Sequence, residues 1–177
     1  MGEDHGMKFV LKSLLFFSFL IATSGPYAQP VFREGDAIGA SGLPLPRFVS
    51  ISRDVANMRT GPGERYPIDW VYARPLYPLE IIAEYDLWRQ VRDIDGTEGW
   101  IHVTLLSGDR TVLITGGVHR LYRRPALDAP AVARLEAGVI GEILECQAAW
   151  CRLTAGGVKG WMPTQNIWGI YSGEIIN

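Results

Sequence analysis

Short apolar runs separated by glycine and proline dominate the chain from about residue 47 onward. Residues 68–73, 79–83 and 87–94 each have the length and β-branched or aromatic character of a strand. Asp95-Gly96 predicts a hairpin turn before a further strand at 99–103. No helical period of useful length occurs. Several short strands within roughly 60 residues predict a small barrel, because closing the sheet covers edges that so short a chain would otherwise expose.

The same pattern occurs a second time. Gly99-Trp100-Ile101 returns as Gly160-Trp161-Met162, and Trp88-Arg89-Gln90-Val91 returns as Trp150-Cys151-Arg152-Leu153. These near-equal spacings indicate a tandem repeat. We therefore predict an all-β protein with two small β-barrels, the first at residues 47–108 and the second at 109–177.

Two N-terminal segments differ from the repeats. Residues 1–28 combine Lys8 and Lys12 with a short apolar run and small residues, which is the pattern of a secretory signal peptide. The run is too short for a membrane-spanning helix, so we expect no stable membrane span after cleavage and a periplasmic or secreted protein. Residues 29–46 are rich in proline and glycine, and we interpret them as a flexible linker or a peptide draped over the folded part, with regular structure beginning near Arg47.

The charge balance argues against nucleic acid as a partner. The formal net charge is -2, and removal of the predicted signal peptide takes away two basic and two acidic residues, which leaves it unchanged. A nucleic-acid-binding domain instead carries a basic patch.

The motif Asn57-Met58-Arg59-Thr60-Gly61-Pro62-Gly63, a later Trp88 and Gly99-Trp100-Ile101 resemble the bacterial SH3-like domain family. The match spans about residues 50 to 106. The second repeat keeps Arg123, Pro125, Trp150 and Gly160-Trp161 but lacks the asparagine and both glycines, so it resembles a degenerate copy. The resemblance implies two SH3-like barrels and a non-catalytic envelope or cell-wall binding module.

The loop that follows Arg59 is the first candidate ligand contact. We expect positive φ angles at Gly61 and Gly63 beside the fixed φ of Pro62, which would give a tight loop. Arg59 at the base of this loop can pair with a ligand carboxylate, with Asn57 beside it. The alternative is that both side chains only hold the loop through hydrogen bonds to the backbone.

Aromatic residues form the second candidate. An offset of 64 aligns Trp70 and Tyr72 with the charged Arg134 and Glu136, so we predict that both rings face solvent and that Val71 is buried. With Tyr66 and Tyr77 they would form a peptide or glycan platform; the alternative is a contact between the two repeats. We interpret the repeated tryptophans, Trp88, Trp100, Trp150 and Trp161, as packing residues.

The two cysteines align, at an offset of 62, with the opposite charges Glu84 and Arg89. Two thiols in one repeat thus replace two opposite charges in the other, as expected for residues that face each other directly across a hairpin. We therefore predict a Cys146–Cys151 disulfide and a Glu84–Arg89 ion pair. A thiol nucleophile acting with His102 or His119 would be the alternative, but no motif places a residue to orient the base. The histidines match no zinc-ligand spacing. We expect no metal, cofactor or enzymatic activity.

These observations give two functional hypotheses. The first is an exported binding module for the peptide stems or glycan of peptidoglycan, with the first repeat carrying Asn57, Arg59, Tyr66, Trp70, Tyr72 and Tyr77. The second is a protein-interaction adaptor that holds an envelope enzyme or receptor through the groove between the repeats or the proline-rich segment.

Overall fold

The computed structural model of the protein describes residues 37–177, together with Met1. The rest of the predicted signal peptide and the first part of the predicted linker lie outside the described residues. No helix within residues 37–177 is long and apolar enough to cross a membrane.

Regular structure begins earlier than predicted. Strands β1 (Ala37–Ile38) and β2 (Pro44–Leu45) form a two-stranded antiparallel hairpin ahead of Arg47. Gly42 adopts a φ of 78° in the connection, a conformation that favours glycine. The expected start near Arg47 was too late, because a two-residue strand leaves almost no periodic signal.

The first barrel is one seven-stranded antiparallel sheet with the strand order β5-β4-β8-β7-β6-β3-β9. A single turn of 3-10 helix, Val103–Leu105, joins its last two strands. Its strands are β3 (Arg47–Ile51), β4 (Ala56–Arg59), β5 (Ile68–Tyr72), β6 (Pro78–Tyr85), β7 (Trp88–Arg92), β8 (Glu98–His102) and β9 (Leu106–Ser107).

The second barrel repeats this arrangement with the order β12-β11-β15-β14-β13-β10-β16. A 3-10 turn, Thr164–Asn166, again precedes the last strand. Its strands are β10 (Thr111–Ile114), β11 (His119–Tyr122), β12 (Ala131–Leu135), β13 (Ile140–Gln147), β14 (Trp150–Ala155), β15 (Val158–Pro163) and β16 (Ile167–Trp168). The prediction of an all-β fold is confirmed.

Each sheet encloses a core of its own, built from the inward-facing residues of its strands. Fully buried members include Ile51, Met58 and Leu79 in the first barrel, and Leu121 and Leu153 in the second. Apolar residues at alternate positions of each strand reach the core, because successive side chains point to opposite faces of a sheet.

The β6–β7 and β13–β14 hairpins confirm the predicted cross-strand pairs. Cys146 lies directly opposite Cys151, and the two sulfurs form a disulfide. In the first barrel Glu84 lies directly opposite Arg89, whose Nε is 3.3 Å from the carboxylate. Aligned positions therefore carry a covalent link in one barrel and an ion pair in the other.

The predicted exposure of β5 was wrong at two of its three positions. Trp70 is 54% exposed as expected, but Tyr72 is only 6% exposed and Val71 is 50% exposed. The sheet registers pair Met58 with Trp70 and Leu121 with Ala133, which sets the offset at 63 rather than 64. A shift of one residue moves every side chain of a strand to the other face, so Tyr72 corresponds to the buried Leu135.

The two barrels pack against each other through aromatic side chains. The ring of Phe48 lies 5.1 Å from that of Trp168 and 4.7 Å from that of Tyr171. Across the same boundary the hydroxyl of Thr111 donates to the backbone carbonyl of Leu76 at 2.8 Å. Trp168, in the last strand of the second barrel, and Tyr171 thus both contact the first barrel.

Candidate functional site

The six predicted site residues do not form one platform. Asn57 and Arg59 line one groove of the first barrel, and Trp70, Tyr72 and Tyr77 line another. Each groove encloses about 320 Å³. The first, here called the polar groove, is lined by Asn57, Arg59, Glu64, Trp88, His102, Thr104 and Leu105. The second, here called the aromatic groove, is lined by Trp70, Val71, Tyr72, Ala73, Arg74, Tyr77, Asp93 and Asp95.

The polar groove gathers residues that are far apart in the chain because β4, β8 and β7 are neighbours in the sheet. On β4 the alternation buries Ala56 and Met58 completely and turns Asn57 and Arg59 toward the groove. The register of β7 with β8 places Trp88 directly opposite His102. Sequence reasoning placed Trp88 among the packing residues, whereas it is half-buried and forms part of the groove wall.

His102 and Thr104 form a hydrogen-bonded pair at one end of the polar groove. The imidazole packs edge to face against Trp88, with ring centroids 5.3 Å apart. Its Nδ1 lies 2.8 Å from the hydroxyl of Thr104 and accepts from the Thr104 backbone N–H at 3.4 Å. With Nδ1 as an acceptor, the neutral ring carries its proton on Nε2 and can donate a hydrogen bond there.

Arg59 has the loop-holding role that was the alternative to ligand binding. Its Nη1 donates to the backbone carbonyls of Tyr66, at 2.7 Å, and Glu64, at 3.1 Å. Its Nη2 makes no hydrogen bond to another described residue, and the guanidinium lines the groove. A direct contact between Arg59 and a ligand stays a prediction.

The glycines of this loop serve a different purpose from the one expected. Neither Gly61 nor Gly63 has a positive φ. A Cβ on Gly61 would instead lie 2.5 Å from the ring of Tyr66, so the missing side chain makes room for that ring. Tyr66 is therefore a loop-packing residue that covers Gly61, and its predicted ligand contact is untested.

The second barrel keeps the backbone of this loop despite its different residues. Thr60 N–H donates to Pro67, and in the same way Arg123 N–H donates to Pro130. At the offset of 63, Arg124 takes the place of Gly61 and the small Ala129 takes the place of Tyr66. The two loops also share the hydrogen bonds Gly63 N–H to Gly61 and Tyr66 N–H to Gly63, which return as Ala126 N–H to Arg124 and Ala129 N–H to Ala126.

Three polar residues of the lining are replaced in the second barrel. Positions equivalent to Arg59, Glu64 and His102 hold Tyr122, Leu127 and Pro163. Tyr122 packs edge to face against Trp150 at 5.7 Å, and Leu127 is 71% exposed. The corresponding surface of the second barrel therefore lacks the arginine, glutamate and histidine of the polar groove.

In the aromatic groove, Tyr72 and Asp93 form a buried hydrogen-bonded pair. The Tyr72 hydroxyl donates to Asp93 Oδ2 at 3.0 Å. Burial raises the pKa of Tyr72 far above its ordinary value, and the charge of Asp93 adds to the shift. Burial and the charges of Asp93 and Asp95 also raise the pKa of Tyr77. Both hydroxyls consequently hold their protons more strongly than an ordinary tyrosine does. Asp93 was not anticipated, although its place just before Asp95-Gly96 marks it as a turn residue.

The chemistry of a free thiol is not available to this structure. Cys146 and Cys151 are bonded to each other and almost fully buried. His119 is engaged elsewhere, with its Nε2 2.7 Å from the carbonyl oxygen of Thr115. Within the described part of the chain, no three His, Cys, Asp or Glu side chains are grouped so that they could hold a metal ion.

Comparison with known proteins supports the resemblance noted in the sequence. The family model described as bacterial SH3 domain matches residues 52–108 and 118–169, which together make up more than half of the chain. No curated protein matches the chain.

Two solved structures from Trichomonas vaginalis are similar to the chain at 13% sequence identity. NlpC2 has a TM-score of 0.32, with 70% of this chain and 48% of that chain covered. NlpC1 has a TM-score of 0.33, with 77% and 50% covered. The chain thus spans about half the length of these two proteins. On the two matched segments of its own sequence, it belongs to the bacterial SH3 domain family.

Proposed function

We propose that the protein is an exported, non-catalytic module that binds peptidoglycan in the cell envelope through the polar groove of its first barrel. Membership of the bacterial SH3 family supports a binding role. The Cys146–Cys151 disulfide supports an oxidising compartment, because such bonds persist mainly outside the cytosol.

The observation that carries the proposal is the combination of an aromatic wall with hydrogen-bonding groups of several kinds. Trp88 supplies a ring on which a sugar or an apolar peptide segment can stack. His102 can donate through Nε2, and Arg59 has a guanidinium nitrogen with which to meet a carboxylate. Peptidoglycan presents amides, hydroxyls and carboxylates, so its chemistry is complementary to this lining.

Differences between the barrels support a binding role for the first one. The second barrel repeats the fold and the loop backbone but replaces Arg59, Glu64 and His102 with apolar or aromatic residues. This contrast supports a binding contribution from these three residues, because the second barrel forms the same fold without them.

Co-sedimentation with protein-free peptidoglycan tests the proposal. The protein without its predicted signal peptide should sediment with the wall, and Trp88→Ala should lower the retained fraction about tenfold or more, as expected when a central aromatic contact is removed. Trp150→Ala is the matched control, since it truncates the equivalent half-buried tryptophan of the second barrel. Circular dichroism must show that both variants are folded. Equal retention of the two variants would contradict binding through the polar groove.

One observation favours a second candidate, a protein-interaction adaptor. Leu127, at the position equivalent to Glu64 of the polar groove, is 71% exposed, which places accessible apolar surface on the second barrel. If this surface holds an envelope protein, Leu127→Asp should abolish capture of that protein from an envelope extract while peptidoglycan sedimentation is unchanged. Capture that does not depend on Leu127 would argue against this surface.

A further inference from the structure

The aromatic groove has three rings in succession along one wall. The ring centroids of Trp70 and Tyr72 are 6.4 Å apart, and those of Tyr72 and Tyr77 are 5.4 Å apart. Tyr72 is buried, whereas Trp70 remains 54% exposed at the end of the row. The most accessible aromatic surface is therefore that of Trp70, whose ring packs against the ring of Tyr72.

Two carboxylates lie beside these rings. Asp93 is 7% exposed and is held by three hydrogen bonds, from the Tyr72 hydroxyl, the backbone N–H of Asp95 at 3.0 Å and that of Thr97 at 2.8 Å. Asp95 itself is exposed at the turn. Because its hydrogen bonds are built into the hairpin, the Asp93 carboxylate cannot turn away, and its charge stays directed at the groove.

Neither carboxylate is neutralised by an ion pair within the part of the chain described by the structure. The six ion pairs found there all involve other acidic side chains. Arg74 is the one positively charged residue in the lining, and its Nη2 donates to the carbonyl of Gly138 in the second barrel at 2.9 Å. The groove consequently carries two negative charges against one positive charge.

We infer that the aromatic groove binds an alkylammonium group, with the Trp70 ring and the Asp95 carboxylate as its direct contacts. An aromatic face attracts a cation through its quadrupole, and an adjacent carboxylate accepts the ammonium N–H groups. A neutral sugar would offer no positive charge to the carboxylates of Asp93 and Asp95. A metal ion would find only two carboxylate ligands here, fewer than it prefers. This site is separate from the polar groove and goes beyond the proposed peptidoglycan contact.

The test compares two small ligands by NMR titration of the ¹⁵N-labelled protein without its predicted signal peptide. Nα-acetyl-L-lysine amide carries the free ammonium, and its Nε-acetylated form has the same chain without the charge. We expect saturable binding of the first ligand and at least about tenfold weaker binding of the second, given the energy of a cation on an aromatic face. Affinity should fall as salt is raised, because the Debye length shortens to about 8 Å at physiological ionic strength.

Variants locate the site. Trp70→Ala and Asp95→Asn should each weaken binding about fivefold or more, since each removes one direct contact. Asp69→Asn is the matched control: Asp69 is exposed on the same strand and does not line the groove, so the variant should leave affinity unchanged. All three positions are exposed, so the variants should fold, and their amide spectra will report it.

Several outcomes would overturn the inference. These are equal affinity for the acetylated ligand, no saturable binding of the charged ligand, and an Asp69→Asn effect as large as that of Asp95→Asn, which would indicate only general electrostatics. Since the polar groove is untouched by these variants, peptidoglycan sedimentation can fail or succeed independently of this result.

Discussion

The most demanding prediction concerns Glu84, a buried carboxylate that fastens the N-terminal hairpin to the first barrel. Its side chain is 1% exposed and accepts hydrogen bonds from Arg47 at 2.6 Å, from the backbone N–H of Ser41 at 2.7 Å and from the Ser41 hydroxyl at 2.8 Å. Gly39 passes so close that a Cβ there would lie 2.5 Å from the carboxylate oxygen. Glu84→Gln keeps the size of the side chain and removes its charge.

The expected cost follows from the pKa of Glu84. Burial alone would raise that pKa, but the hydrogen bonds from Ser41 and Arg47 outweigh it and lower the pKa from 4.5 to about 2. A difference of about 2.5 pKa units corresponds to about 3 kcal/mol in the free energy of unfolding. Because the folded-state pKa is depressed, this stability is fully present above pH 4.5 and is lost as the pH falls toward 2.

Urea unfolding at a series of pH values measures both the cost and its pH dependence. At pH 7 the wild type should exceed Glu84→Gln by about 3 kcal/mol, and the difference should shrink between pH 4.5 and 2 as the wild-type carboxylate becomes protonated. Glu142→Gln, an exposed position on the corresponding strand of the second barrel, should change stability by less than about 0.5 kcal/mol. A difference that is below about 1 kcal/mol at pH 7, or that stays constant down to pH 2, would refute this reasoning.

Three further predictions concern stability. Replacing Cys146 and Cys151 by serine should lower the free energy of unfolding by about 2 kcal/mol, the chain-entropy value for so short a loop; an unchanged urea midpoint would contradict it. Gly61→Ala should cost about 1–3 kcal/mol by overpacking against Tyr66, and Tyr66→Ala in the same chain should recover part of that loss, as a double-mutant cycle would show. Additive costs would mean that the ring does not contact the added methyl group. Phe48→Ala should cost about 3–5 kcal/mol by removing the ring between the barrels, and a thermal unfolding midpoint equal to that of the wild type would argue against this packing.

The architecture was readable from the sequence because its signals are local. Alternating apolar residues, Asp95-Gly96 at a turn and repeated Gly-Trp motifs specify strands, hairpins and a tandem repeat without reference to the rest of the chain. The Cys146–Cys151 disulfide was also predictable, because residues that face each other across a short hairpin are close in sequence as well as in space.

The composition of the grooves was not predictable in the same way. Alignment at an offset of 64 instead of 63 placed Tyr72 on the wrong face of its strand. An alignment error of one residue assigns every side chain of a strand to the opposite face of the sheet. The role of Gly61 was also misjudged, since crowding by the Tyr66 ring is a contact in space and leaves no mark in the spacing of residues.

The sequence by itself determined two all-β repeats, their turns and their covalent link, each of which depends on neighbours along the chain. Only the tertiary structure decided that Asn57, Trp88 and His102 line one groove while Trp70, Tyr77 and Asp93 line another. The physical reason is the strand order: β4 pairs with β8 and β8 with β7, so side chains more than 40 residues apart meet across the sheet. That pairing depends on the packing of the whole core, which no single segment encodes.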